Sequence, residues 1–354
     1  MRYLLFLLVL IFAFCKNDTQ LDQLVVAFPQ TTLREAPGEK GREIRVLKKG
    51  EAVTELDKVS DFESILMVGG QQLQSPWVKV QTADKQTGWV LASTMRPIPF
   101  VKTPDTTVYF NAWLEDKRLH CYFGVDFPGK VLLWSQNIGA VVNEERFASV
   151  YREAMVLRKT MTESLASRSE PNRSAAKLDY VWLTDAMPCF VFQWVSDGTQ
   201  PYLFADYLYW LPIASKTNGL QDDAFIQTCL VAFPADSIES FFPAWKFQLS
   251  DSEAASQLGM GVHLKMLRQI ESALNSGPLF QPELMTLKEA VLDDILNHKS
   301  VYWQSKGLIL KELNQILAAN LTILDERDRT ALQARRTMFE NPEASGVKVN
   351  LRGG

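Results

Sequence analysis

The stretch that decides the fold begins Thr32-Leu33-Arg34-Glu35-Ala36-Pro37-Gly38 and ends Thr87-Gly88-Trp89-Val90. Between these ends stand Val46-Leu47-Lys48-Lys49-Gly50-Glu51 and Ser75-Pro76-Trp77-Val78-Lys79-Val80. Glycine and proline mark the turns, and apolar residues alternate with polar ones at the period of a half-buried strand. We therefore predict that residues 24–97 form a small, closed β-barrel.

Within this barrel the sequence also predicts individual pairings. Trp77-Val78-Lys79-Val80 and Gly88-Trp89-Val90-Leu91 are expected to form a hairpin across a polar turn. Phe62-Glu63-Ser64-Ile65-Leu66 is expected to run as a strand into a strong bend at Gly69-Gly70. Leu33 is expected to point into the barrel.

In this order and spacing, the motifs resemble those of the bacterial SH3 (SH3b) domain family. The matching pieces are Leu33-Arg34-Glu35-Ala36-Pro37, Leu47-Lys48-Lys49-Gly50, Trp77-Val78-Lys79-Val80 and Gly88-Trp89-Val90. The chain departs from the family in its long segment 61–75 and in a last hairpin turn that lacks the usual Asp-Gly.

The resemblance implies a binding module that performs no covalent step. Its ligand would be a peptidoglycan peptide or a protein partner, held in a groove. Trp77 and Trp89 are the candidate ligand-binding residues, and the alternative for each is a place in the barrel wall.

At its N-terminus the chain has the pattern of an export signal. Met1-Arg2-Tyr3 leads into the apolar run 4–14, which is short for a membrane span. The run stops at Cys15-Lys16-Asn17-Asp18, which resembles a bacterial lipoprotein signal, although Phe14 stands where that family prefers a small residue. The resemblance implies a signal peptide at residues 1–15, lipid attachment at Cys15 and a membrane-anchored protein of the bacterial cell envelope. An ordinary cleaved signal or an uncleaved anchor is the alternative.

The rest of the chain, residues 101–341, is predicted to be an α+β domain with mainly antiparallel strands, helical from about residue 250. The prolines of Arg96-Pro97-Ile98-Pro99 mark the boundary before it. The predicted strands are 108–113, 119–123, 131–134, 180–183, 190–195, 202–204 and 225–233. The predicted helices are 143–167, 250–275, 282–297, 302–320 and 325–339.

Composition excludes several function classes. The 354-residue chain has a net charge of −4, and its basic runs are interrupted by apolar residues, so no nucleic-acid partner is expected. The spacing of Cys121, Cys189 and Cys229 matches no zinc pattern. They are expected to be buried thiols, although an oxidising compartment would permit one disulfide. No cofactor is expected, because Gly259-Met260-Gly261 has the wrong spacing and context for a phosphate loop. No metal is expected either.

The three histidines give no strong catalytic signal. His120 and Cys121 would point to opposite faces of a strand, and His263 is expected at a helix surface or edge. His298 follows Asp294 by four residues. That spacing suits a base with an orienting carboxylate or two metal ligands, but a histidine stabilising a helix C-terminus is favoured. The sequence thus names no catalytic residue, and the rival function is an envelope hydrolase with its active site in residues 103–339.

Overall fold

The computed structural model describes residues 23–98, 106–168, 180–195, 198–250 and 252–349. The chain divides into two compact units, Met1–Pro128 and Gly129–Gly354. The predicted domain limits, residues 24–97 and 101–341, stay predictions. The predicted signal peptide and Cys15 lie outside the described residues.

A single antiparallel sheet of seven strands makes up most of the first unit. In chain order the strands are β1 (Gln23–Val26), β2 (Thr31–Arg34), β3 (Glu43–Leu47), β4 (Ala52–Val68), β5 (Gln71–Thr82), β6 (Thr87–Leu91) and β7 (Met95–Pro97). The spatial order is β3-β2-β6-β5-β4-β1-β7. Leu33 is buried in the core as predicted, and the predicted hairpin is confirmed, with Trp77 opposite Leu91 and Val80 opposite Gly88.

Strands β4 and β5 continue well past the rest of the sheet as a two-stranded ribbon, which we call the arm (residues 61–75). Its pairing runs from Ser64 opposite Ser75 to Val68 opposite Gln71. The bend falls at Gly69 (φ 58°) and Gly70 (φ 82°), where positive φ at both positions gives the tight hairpin turn that glycine favours. The long segment 61–75, which departs from the SH3b family pattern, is therefore an ordered hairpin.

A helix, α1 (Thr106–Phe123), stands where the sequence predicted a hairpin of strands 108–113 and 119–123. That prediction was wrong. The charged run Glu115-Asp116-Lys117-Arg118 contains no glycine, proline or asparagine to make a turn. Buried residues Trp113, Leu114, Lys117 and Cys121 instead recur at spacings of three and four, which is one face of a helix.

Helix α1 completes the core of the sheet. Trp113 and Leu114 belong to the same buried cluster as Leu24, Leu33 and Val78, and Phe110 packs against it. The first unit is therefore a sheet and a helix that share one hydrophobic core.

In the second unit, α-helices alternate with two small hairpins. After α2 (Phe127–Gly139), the elements are α3 (Glu144–Arg168), α4 (Trp182–Ala186), β8 (Phe190–Val195), β9 (Gln200–Ala205), α5 (Tyr207–Ala214), α6 (Gln221–Ala232), β10 (Lys246–Gln248), β11 (Ala254–Ser256), α7 (Val262–Asn275), α8 (Gln281–Leu296), α9 (Lys306–Ala318) and α10 (Glu326–Glu340). Both hairpins, β8 with β9 and β10 with β11, are antiparallel. The α+β class with a helical C-terminal part is confirmed.

Several local predictions for this region were wrong. Residues 131–134, 180–183 and 225–233, predicted as strands, contribute to α2, α4 and α6. Short apolar runs do not by themselves distinguish a buried strand from a buried helix. The helix predicted from residue 250 begins only at Val262, because Gly259 and Gly261 adopt positive φ and interrupt it.

Candidate ligand groove of the N-terminal unit

Two clefts lie side by side between the loop 35–42 and the arm. The first has a volume of about 160 Å³ and is lined by Gln30, Thr31, Thr32, Arg34, Glu39, Leu66, Met67, Val68, Trp77, Leu91 and Thr94. The second has a volume of about 400 Å³ and is lined by Pro37, Gly38, Glu39, Lys40, Phe62, Ser64, Ile65 and Leu66. Glu39 and Leu66 line both, so the clefts adjoin, and we call the two together the groove.

The loop wall of the groove depends on two glycines. A Cβ at Gly41 would lie 2.2 Å from the carbonyl oxygen of Ala36, so the loop can close only without a side chain there. Gly38 has a φ of 101°, which L-residues rarely adopt, and it faces the ring of Phe62 on the arm. An ion pair between Arg42 and Glu35 joins the two ends of the loop.

The arm wall of the groove runs along a strand edge. Ser64, Ile65 and Leu66 line the second cleft, and Leu66, Met67 and Val68 line the first. Consecutive residues of a strand point to opposite faces, so a cleft lined by three in a row lies along the edge of that strand. Strand β5 occupies the other edge of β4, and β1 pairs with β4 only at Ala52, Val53 and Thr54.

The two candidate tryptophans have different surroundings. Trp77 and Trp89 lie on the face of β5 and β6 opposite to core residues such as Val78 and Val90. Trp77 is only 1 % exposed, and its indole N–H donates to Ser64 Oγ at 2.8 Å. It forms part of the groove lining, whereas Trp89 is half-buried and is not among the residues that line the groove. Ligand binding by either residue stays a prediction.

Arg34 is a charged residue of the groove lining that stood out in the sequence only as part of a motif. Its Nη1 donates to the carbonyl oxygen of Gly41 at 2.8 Å. Its Nε is shielded from solvent and has no hydrogen-bond partner among the described residues. The only sequence signal for this residue was a cation at the end of a strand, next to a Pro-Gly turn.

Two buried ion pairs fix the arm and its strand to α1. Arg118 Nε lies 3.0 Å from Glu63 Oε1, and Tyr122 donates to the same carboxylate at 3.1 Å. Lys117 Nζ lies 2.8 Å from Glu55 Oε1. Burial works against the charged form of Lys117, but the attraction of Glu55 together with that of Asp116 outweighs it and raises the pKa of Lys117. These contacts hold the arm and its strand to α1.

Residues 29–96 match the model of the bacterial SH3 domain family. The match covers less than half of the chain, so the name SH3 applies to this region alone, and α1 lies beyond it. The search of curated proteins and the search of solved structures found no match to the chain.

Outside the SH3 region, the structure overturns the prediction for His263. This residue is fully buried, and its Nε2 lies 2.9 Å from Asp294 Oδ2. Ser256 Oγ donates to the same oxygen at 2.6 Å. His298 is exposed beyond the end of α8, so Asp294 meets a histidine 31 residues away rather than the one four residues on.

A buried glutamate closes the other side of this cluster. The carboxylate of Glu312 accepts the backbone N–H groups of Gly259 (2.5 Å), Gly261 (2.8 Å) and Leu264 (3.2 Å). The glycine loop thus does bind an anion at a helix N-terminus, and the anion is the protein's own side chain. Because Ser256 donates to Asp294 and not to His263, the cluster has no nucleophile–base pair, and its evident role is to tie α7, α8 and α9 together.

Cys121, Cys189 and Cys229 are buried thiols as expected, and no disulfide joins them. Burial raises the pKa of the Cys189 and Cys229 thiols, which keeps them protonated and unreactive. His120 and Cys121 are neighbours on a helix rather than on a strand, so the geometry assumed for them was wrong.

Within the described ranges, no group of three or more His, Cys, Asp or Glu residues could hold a metal ion. No helix in the described part of the chain combines the length and apolar character needed to cross a membrane.

Proposed function

We propose that the N-terminal unit is a binding module that holds an extended peptide in the groove between loop 35–42 and the arm. The observation that carries this proposal is the edge of β4 along both clefts, lined by Ser64 to Val68. An unpaired strand edge offers N–H and C=O groups to an added strand, and pockets beside it select the side chains. The clefts combine the apolar residues 65–68 with polar Thr32, Arg34 and Glu39, which suits a peptide better than a wholly apolar ligand.

The ligand we favour is a peptide of peptidoglycan, and a second envelope protein is the alternative. Support comes from the SH3 match over residues 29–96 and from the export pattern at residues 1–15. The proposal accordingly makes the module part of a lipoprotein of the bacterial cell envelope without catalytic activity. Cys15 would carry the lipid, and the polar segment 17–23 would lead from it to the SH3 region.

The groove is tested by replacing Leu66, which lines both clefts, with glutamine. Leu66→Gln is expected to weaken co-sedimentation of the full chain with purified peptidoglycan by roughly tenfold, since a leucine side chain buried by a ligand contributes about 1.5–3 kcal/mol. Ile98→Gln is the matched control, because Ile98 is an exposed apolar residue outside the groove lining. Equal binding by both variants and the wild type would place the ligand elsewhere. Absence of binding by the wild type would favour the protein partner.

The anchor is tested separately by Cys15→Ser. The variant is expected to move from the membrane fraction to the soluble fraction of the cell envelope, because several acyl chains bind a membrane far more firmly than a peptide tether does. Mass spectrometry of the mature N-terminus should show the lipid mass on Cys15 of the wild type and of a Cys121→Ser control, and no lipid mass in Cys15→Ser. An unmodified mature chain that begins elsewhere would contradict lipidation and leave the groove proposal intact.

A further inference from the structure

The arginines of the first unit differ in how their charge is balanced. Arg42 pairs with Glu35, Arg45 with Glu51 and Arg118 with Glu63. The hydrogen bond from Arg45 lowers the pKa of Glu51, as expected for a carboxylate held by a guanidinium. Arg96 donates to the backbone carbonyls of Ser93 and Met95 and lies over the Phe110 ring.

Arg34 has no such balance. Among the described residues its only hydrogen bond runs from Nη1 to Gly41, and no carboxylate lies within ion-pair distance of it. Its Nε is closed to water and unpartnered. Buried donors without acceptors are rare in folded proteins, and the rest of the Arg34 side chain is partly exposed and can meet a ligand. The Arg34 guanidinium can therefore bind an anion, and it lines the groove.

The free side of this guanidinium has a definite shape. With Nη1 bound to Gly41, the Nε and Nη2 donors remain, and this pair can donate in parallel to the two oxygens of one carboxylate. A carboxylate that reaches them has to part the side chains that now cover Nε. The hydrogen bond from Nη1 to the Gly41 carbonyl oxygen would keep the guanidinium in place while the carboxylate enters.

We propose that Arg34 is the anchor for a carboxylate of the peptide that occupies the groove. This inference rests on the proposed function and adds the ligand class: an extended peptide with a carboxylate, terminal or on a side chain, at the Arg34 end. Glu39 also lines the first cleft and is exposed, so its negative charge opposes the incoming carboxylate. The groove thus sets one attractive and one repulsive charge around the ligand.

The closing experiment uses the full chain and two synthetic probes, N-acetyl-Lys-D-Ala-D-Ala and its C-terminal amide, titrated by calorimetry. The wild type is expected to bind the acid at least about tenfold more tightly than the amide, as charge-assisted hydrogen bonds imply. Arg34→Lys keeps the charge but loses the two parallel N–H donors, and the preference for the acid over the amide should fall to about threefold or less. Glu39→Gln should bind the acid a few times more tightly. Lys58→Gln, which alters an exposed lysine outside the groove lining, should match the wild type.

The outcomes separate this inference from the proposed function. Equal affinity of the wild type for acid and amide overturns the Arg34 anchor while peptide binding stands. Co-sedimentation with peptidoglycan but no binding of either probe also overturns it. If the wild type bound neither peptidoglycan nor either probe, the proposed function of the groove would be wrong as well. If Arg34→Lys unfolds at a lower temperature than Lys58→Gln, the acid-to-amide ratio of the wild type and of Glu39→Gln still decides the question.

Discussion

Trp113→Ala is expected to lower the free energy of unfolding of the N-terminal unit by about 3–5 kcal/mol, the usual cost of removing a buried tryptophan side chain. Trp113 is 7 % exposed and lies in one buried cluster with Leu24, Leu33 and Val78 of the sheet. Its indole N–H also donates to Glu55 Oε2 at 3.1 Å. The substitution therefore opens a cavity and removes a hydrogen bond from a buried carboxylate.

The measurement is native-state hydrogen exchange of the full chain, read at the amides of β5 and β6. Faster exchange there would show that a helix outside the family match stabilises the sheet. Asn111→Ala, at an exposed position of the same helix, is the matched control and should change exchange by less than about 0.5 kcal/mol. Unchanged exchange in Trp113→Ala would mean that α1 contributes little to the stability of the sheet.

The second large effect is expected at the buried histidine. His263→Ala should lower the stability of the second unit by about 3–5 kcal/mol, since it opens a cavity and leaves the buried Asp294 carboxylate without its histidine partner. Asp294 would keep the hydrogen bond from the Ser256 hydroxyl, and the cavity would adjoin Glu312, whose Oε1 lies 4.0 Å from His263 Nδ1. Because the three partners come from β11, α8 and α9, packing around α7 should loosen as a whole.

Urea unfolding of the full chain checks this prediction, with hydrogen exchange in α7, α8 and α9 to locate the change. His298→Ala is the control: the residue is exposed, and its loss should cost less than about 0.5 kcal/mol. His263→Gln retains a hydrogen-bond donor and should fall between the two. If His263→Ala were as stable as His298→Ala, the cluster would not be the tie between these helices.

The parts of the fold that sequence predicted well are those specified by neighbouring residues. Alternation in Trp77-Val78-Lys79-Val80, with turn residues at fixed offsets, determined the β5–β6 pairing locally. Gly69-Gly70 likewise predicted the bend of the arm. In α1, aromatic and β-branched residues near Val108 favoured a strand, and the helical face was visible only from the spacing of Trp113, Lys117 and Cys121.

The site was harder to predict, because its features come from contacts distant along the chain. Trp77 looked like a possible exposed platform, but Ser60 and Ser64 bind its backbone and indole N–H groups from the adjoining strand. Arg34 became notable only once Glu35, its neighbour in the sequence, proved to pair with Arg42. Asp294 lies 31 residues from His263, so no local pattern could reveal their contact.

The shared core of sheet and helix determines how this protein can be dissected in the laboratory. A recombinant fragment cut at Arg96, where the family match stops, would lack Trp113 and Leu114 and expose the apolar surface they cover. Such a fragment should be prone to aggregate, and a negative binding assay on it would say nothing about the groove. Expression boundaries should therefore fall after Phe123, where α1 ends.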